Sequence, residues 1–273
     1  MSYGHLSYEN TTLPLPPSGN STFPSSTTLF ELLHAKGTTI ESTPHQLKLA
    51  EVPILTSDDL ISFDPRNYIE RVHNGDKPIG DDAFYQTYTR QLNKFPPLRL
   101  DRTMGPWVAG GFCTRLLDGR ETTGSDFDMF FKTENQFIRI RDELIGVYNF
   151  TITKTQQNSI MMEKDGIEIN LVTLEYFDTL ADVFNFFDLT ISQCALVTEG
   201  LGNYRMVTTP LTLRDIVSKK LVINNIHHPV ATMKRILKYS NQRYELCTGG
   251  VIHFLTAVAL NPELIGVMPG YVD

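Results

Sequence analysis

Several short stretches between residues 107 and 173 alternate apolar and polar positions with a period of two. That period belongs to a strand, whose successive side chains point to opposite faces. Asp126-Phe127-Asp128-Met129-Phe130-Phe131 follows it, so both carboxylates share one face with Phe127 and Met129 on the other. Trp107-Val108-Ala109 reads as a short apolar strand, ended by Gly110-Gly111, where the backbone can turn tightly and approach a ligand. Residues 134–148 read as a helix and 150–154 as a strand. Residues 159–163 and 167–173 read as two strands joined at Lys164-Asp165-Gly166, a common hairpin signal. On the second of them Glu168 and Asn170 share a face, with Ile167, Ile169 and Leu171 opposite.

The flanks are patterned differently. Residues 1–28 are rich in Ser, Thr, Pro, Gly and Asn and read as a flexible polar tail, through which a protein partner can attach. Helical pieces over 28–35 and 82–92 are broken by Asp64-Pro65, Lys77-Pro78 and Pro96-Pro97, so 29–105 reads as a helical elaboration. A central core is expected over 106–185 and a helical domain over 186–273, giving a mixed α/β fold. Within the last region Pro229 suits a first helical turn. The spacing then predicts Val230, Met233 and Leu237 toward the core and Lys234, Lys238 and Asn241 along another face.

Composition narrows the function classes. The chain has 273 residues, enough for one sizeable domain or two modest ones, and a formal charge of -7. That charge argues against tight, sequence-independent binding of nucleic acid. Residues 214–243 depart from it, with Arg214, Lys219, Lys220, Lys234, Arg235, Lys238 and Arg243 against Asp215 alone. The three cysteines are widely spaced, read as thiols in a reducing compartment and suggest no zinc site. No apolar run reaches the length of a membrane span and no basic apolar leader is evident, so the expected location is cytoplasmic, with no membrane contact. Neither a Gly-x-Ser-x-Gly elbow nor a Gly-x-x-x-x-Gly-Lys-Ser/Thr loop occurs. His227 and His228 are adjacent, point different ways and are assigned to the start of a helix, not to a metal.

The paired acids carry the chemistry. An isolated Asp-x-Asp is ordinarily a capping or solvated pattern, but here it follows a strand and a Gly-Gly turn. Two carboxylates on one face repel unless cations lie between them, and their hard oxygens suit Mg²⁺ completed by water and substrate phosphates. Two such ions, about 3.5–4 Å apart in known sites, activate an attacking oxygen and stabilise a leaving one. Exposed amides at Gly110-Gly111 can hold a triphosphate, and Ser125 either adds a hydroxyl to it or caps the turn.

Residues 110–120, followed by Asp126-Phe127-Asp128, resemble the polymerase β-like nucleotidyltransferase superfamily. Leu116-Leu117-Asp118-Gly119-Arg120 looks like the poly(A) polymerase and CCA-adding branch, which usually has Arg-Asp where this chain has Thr114-Arg115. Phe186-Phe187-Asp188-Leu189-Thr190 is similar to a segment of virus- and phage-encoded members. The resemblance implies a nucleotidyltransferase core with a mixed sheet, followed by a helical domain. It implies transfer of a nucleoside monophosphate from an NTP to an acceptor hydroxyl, an RNA 3′ end by preference, with Mg²⁺ or Mn²⁺ as cofactor and pyrophosphate released. Asp126 and Asp128 would hold the ions, and Gly110, Gly111 and Ser125 would cradle the phosphates. Glu168 matches the third carboxylate, as general base or metal ligand, against the plain reading of a solvent-facing strand residue; Asp188 is its rival, against the plain reading of a packing or capping residue. Residues 233–239 are similar to the helix that lines the family's nucleotide cleft, which would bring Lys234 and Lys238 to the triphosphate. Tyr239 then either stacks on the base or joins the core. The alternative is a non-catalytic NTP-binding or assembly module on the same fold, acting in the host cytoplasm for a virus-encoded protein.

Overall fold

The computed structural model describes residues 53–65, 68, 92–93, 95–120, 122, 124–199 and 203–260. Its strands are β1 (Ile61–Phe63), β2 (Trp107–Ala109), β3 (Phe127–Phe130), β4 (Thr151–Gln156), β5 (Ser159–Lys164), β6 (Ile167–Val172), β7 (Cys194–Thr198), β8 (Tyr204–Thr208), β9 (Lys220–Leu221) and β10 (Glu245–Leu246). Its helices are α1 (Gly111–Leu117), α2 (Glu134–Gly146), α3 (Leu180–Phe186), α4 (Pro210–Val217), α5 (Pro229–Ser240) and α6 (Thr248–Leu260). The first eight strands form one mixed sheet in the order β1-β8-β7-β2-β3-β6-β5-β4, and β9 pairs with β10 apart from it. Only β3 and β6 run parallel within the large sheet, as described. The chain between them forms α2 and the β4–β5 hairpin.

Local chemistry explains the boundaries. Lys164 pairs with Ile167 across a two-residue turn, and Asp165 and Gly166 both take positive φ, 52° and 74°. Such a turn matches the twist of the flanking strands, which is why Asp-Gly is favoured there. Thr133 caps α2 by accepting from Gln136 N at 3.2 Å. Thr179 and Asp182 cap α3 reciprocally, satisfying donors that the first turn leaves unpaired.

The expected alternation of β3 holds in three dimensions. Phe127, Met129 and Phe131 are buried under α1 and α2, with ring centroids 4.3 Å apart for Phe112–Phe127 and 5.5 Å for Phe131–Phe137. The opposite face buries Trp107, Phe130 and Val172 against Phe177, Leu180, Val183 and Phe184. Asp128 lies on that second face, two positions from Phe130 and at the rim of this cover.

Several expectations need correction. The region 186–273 is not purely helical, since β7 and β8 join the main sheet next to β2. Cys194-Ala195-Leu196-Val197 is a continuous apolar run, as expected of a strand buried on both faces between two others. Residues 61–63 form the edge strand β1, antiparallel to β8, within the stretch read as a helical elaboration. Residues 111–117, of which the sequence assigns only Gly111, to the Gly110-Gly111 turn, form α1. On α5 the buried positions are Pro229, Ala231, Thr232, Ile236 and Tyr239, whereas Met233 and Leu237 are 37% and 58% exposed. That helix is apolar on two sides, so the pattern alone did not decide which side docks. The tail 1–28, the helix over 28–35 and all but the last residue of that over 82–92 lie outside the described residues.

Candidate active site

The site begins with register. Parallel pairing sets Asp128 opposite Asn170 and Phe127 opposite Ile169, and Asn170 Nδ2 donates to Asp128 Oδ1 at 2.8 Å. Asp126 stands just before β3, two residues ahead of Asp128, as Glu168 stands two ahead of Asn170 on β6. Strand periodicity therefore gives these four side chains one face.

That face looks into a cleft of about 370 Å³, within the usual range for small-molecule sites. Gly110, Gly111, Ser125, Asp126, Asp128, Glu168, Asp188 and Lys238 all line it. Lys234 does not line it and is exposed on α5, one helical turn before Lys238. Tyr239 is 5% exposed, with its ring centroid 5.6 Å from that of Tyr244, so it belongs to the core at the base of the cleft. Burial pushes its hydroxyl pKa up, which keeps it neutral.

Gly110 holds φ at +89°, a region that L side chains rarely adopt. Its N–H donates to Cys194 O at 3.0 Å, and its carbonyl accepts from Thr114 N at 2.9 Å. The turn is thus tied to both β7 and α1. At Gly111 no heavy atom lies within 4 Å of where a Cβ would stand, so the backbone is open for close approach. Thr114 is buried, with its hydroxyl within hydrogen-bond reach of Gly110 O and Ile191 O. Arg115, the next residue, lines the cleft one helical turn beyond Gly111.

Other cations reach the cleft in ion pairs. Arg235 Nε donates to Asp188 Oδ2 at 2.6 Å, and the Asp188 side chain is only 8% exposed. Arg120 pairs with Asp118, which also takes Lys219, and Arg120 Nη1 donates to Gln242 Oε1 beyond the end of α5. The Leu-Leu-Asp-Gly-Arg run thereby bridges α1 to the end of α5. Arg115, Arg120 and Arg235 were missed in the sequence. The first two needed α1 to be seen as a helix with a defined end, and the third needed the true face of α5.

His228 is the N-cap of α5, and His227 stacks on Phe186 with centroids 4.7 Å apart. Burial lowers the pKa of His227, against the opposing charges of Glu175 and Asp188. Burial also lowers that of His228, assisted by the neighbouring positive charges of His227 and Arg235.

The donor set suits a hard divalent cation. Asp126 and Asp128 offer carboxylate oxygens, and the buried Asn170 Oδ1 beside Asp128 has no hydrogen-bond partner. A cation or its water would satisfy such an atom. Among the described residues no group of three or more His, Cys, Asp and Glu gathers to hold a metal ion. Remaining ligands would therefore come from substrate oxygens and water, as is common for Mg²⁺.

Comparison with known proteins fits this geometry to a fold. The chain is similar to a CCA-adding enzyme in complex with ATP, at 18% identity over 74% of this chain and 48% of that one, with a TM-score of 0.50. It is also similar to a tRNA nucleotidyltransferase complexed with a primer tRNA and an incoming ATP analogue, at 19% identity over 57% and 47%, with a TM-score of 0.43. The CCA-adding enzyme of Thermotoga maritima complexed with tRNA matches at 16% identity over 74% and 46%, with a TM-score of 0.44. The chain spans about half the length of these solved relatives. The first likeness supports the nucleotidyltransferase fold and nothing finer. No curated protein matches the chain. No described helix is long and apolar enough to cross a membrane. The family model for Gabija anti-defense 2 proteins matches residues 81–219, half of the chain and most of the sheet that carries the cleft, and the chain belongs to that family.

Proposed function

We propose that this protein transfers a nucleoside monophosphate from an NTP to an acceptor hydroxyl, releasing pyrophosphate. One observation carries the reading: the Asp126/Asp128 pair, the open Gly110-Gly111 turn and Arg115 and Lys238 face a single cleft. Carboxylates that gather cations and cations that gather phosphates are both needed to hold a triphosphate. Asp126 and Asp128 would hold Mg²⁺ or Mn²⁺, which when bound activates the attacking oxygen and neutralises the leaving pyrophosphate. Gly110 and Gly111 admit the triphosphate to the backbone, with Ser125 as a hydroxyl donor. Arg115 and Lys238 bind the β- and γ-phosphates, the part that departs. Glu168, exposed on the same face, accepts the proton of the acceptor hydroxyl directly or through water as its oxygen bonds to the α-phosphorus. Little covalent help is required, so orientation and charge neutralisation supply most of the rate.

The acceptor favoured is an RNA 3′ end, which the basic stretch around α5 supports. Family membership supports a role against the Gabija defence, and with it a viral or phage source and action in the host cytoplasm.

The test is label transfer from each NTP to a mixed pool of RNA and protein acceptors with Mg²⁺ or Mn²⁺. Wild-type protein labels an acceptor, while Asp126→Ala and Asp128→Ala abolish labelling yet retain the wild-type circular dichroism spectrum. Undiminished labelling by Asp128→Ala would remove the site assignment. Tight NTP binding without any labelled acceptor would favour a binding or assembly module.

A further inference from the structure

The cleft has two chemically different ends, and α5 runs along both. Toward its C-terminal end, Lys238 and Gln242 face the side where Arg115 and Arg120 enter, and Arg120 is hydrogen-bonded to Gln242. Toward its N-terminal end, His228 and Thr232 line the cleft together with Phe186, Phe187 and Leu174, and His227 beside them stacks on Phe186 with ring centroids 4.7 Å apart. The first end suits phosphate, and the second suits a flat, partly apolar group with polar edges.

Two polar atoms at the second end lack partners. Thr232 is 1% exposed and its Oγ1 makes no hydrogen bond; neither does the buried Nδ1 of His228. A helical threonine ordinarily settles its hydroxyl on the carbonyl four residues back. Here the Thr232 N–H donates to the carbonyl of His228 at 2.9 Å, as in any helical turn, but the hydroxyl bonds to neither that carbonyl nor any other atom. Buried hydroxyl and imidazole groups are rarely left unsatisfied without a ligand or a water to meet them. They sit one turn apart on the same side of α5.

Resting on the reading of the cleft as an NTP site, we infer that Thr232 and His228 read the edge of the nucleobase. The base lies against the Phe186–Phe187 wall, Thr232 Oγ1 supplies a donor or an acceptor, and His228 Nδ1 supplies its complement. Burial and the nearby His227 and Arg235 lower the pKa of the imidazole, which favours the neutral ring, whose Nδ1 can accept. A site built to hydrogen-bond a polar edge rejects a base whose edge mismatches, because the buried groups are then left unpaired.

The experiment measures equilibrium binding of the four common NTPs and of inorganic tripolyphosphate to the full chain with Mg²⁺ and no acceptor. Wild-type protein is expected to separate its tightest and weakest NTP by about tenfold or more. Thr232→Val keeps the shape and removes the hydroxyl; it should shrink that ratio to about twofold and leave tripolyphosphate binding unchanged. Thr232→Ser, which retains a hydroxyl, should restore the ranking, and thermal melts confirm that each variant folds. An unchanged ranking in Thr232→Val, or equal binding of all four NTPs by wild type, overturns the base-reading role alone. Failure to bind any NTP or tripolyphosphate removes this inference together with the nucleotidyl transfer on which it rests.

Discussion

The two walls of the cleft are built by opposite means. On the sheet wall, Asp128 and Asn170 are placed by the parallel register of β3 and β6, in which Phe127, Asp128 and Met129 pair with Ile169, Asn170 and Leu171. On the helix wall, Arg235 and Thr232 are placed by the roll of α5, which ion pairing and a few buried side chains set. A strand has only two faces, and a one-residue slip would move all its apolar residues to the wrong side. A helix can roll by a fraction of a turn, so its facing depends on what it docks against. The sheet wall is therefore expected to tolerate surface change and the helix wall to depend on single contacts.

The largest effect should come from breaking the pair that fixes the roll. Arg235→Ala leaves the nearly buried Asp188 carboxylate without its cation, which typically costs about 3–5 kcal/mol. Thermal unfolding should fall by about 10 °C, given roughly 2–4 °C per kcal/mol at this size. A melting temperature within a degree of wild type would mean that α5 is held by its apolar contacts alone.

A smaller effect sharpens the difference between cleft-facing and outward cations. Arg115→Ala should weaken NTP binding by about tenfold, as for loss of one charge-assisted phosphate contact, with little change in melting temperature. Lys234→Ala, outside the cleft, should leave NTP affinity unchanged. Equal losses from both, measured by titration calorimetry, would mean that the bound nucleotide reaches one turn further along α5, to Lys234.

The smallest effect is a pH dependence on the helix wall. The pKa of His227 and of His228 is lowered by burial, so the folded state binds their protons less readily than the unfolded chain. Their contribution to stability is complete above the unfolded value, near 6.5, and is lost as pH falls through the lower folded values. The melting temperature should therefore drop between pH 7 and pH 5. His227→Phe, which preserves a ring beside Phe186, should reduce the part of that drop that comes from this wall. An identical pH profile in the variant would assign the drop to other groups.

Legibility followed the same division. The strands around Asp126 and Glu168 were readable because an alternating pattern states its own face, and the Asp165-Gly166 turn states its own geometry. β7 was missed because Cys194-Ala195-Leu196-Val197 is buried on both sides and does not alternate. α1 was missed because seven residues give a helical period little room to show. Once it is a helix, Arg115 falls one turn from Gly111 and into the cleft, whereas the sequence showed only a departure from a familiar Arg-Asp pair.

By itself, then, the sequence determined the local facts: the acids share a face, the glycines open a turn, and the segment 214–243 is basic. Periodicity, backbone sterics and charge act between neighbours along the chain, so the chain alone expresses them. Tertiary structure decided which of those features meet. It brought Lys238 but not Lys234 to the cleft that holds the acids, gave Asp188 to Arg235, and left the Thr232 hydroxyl and His228 Nδ1 buried without partners. Those outcomes depend on the roll and docking of α5 against residues more than forty positions away in sequence, as the Arg235–Asp188 separation of 47 shows, and no local pattern encodes them.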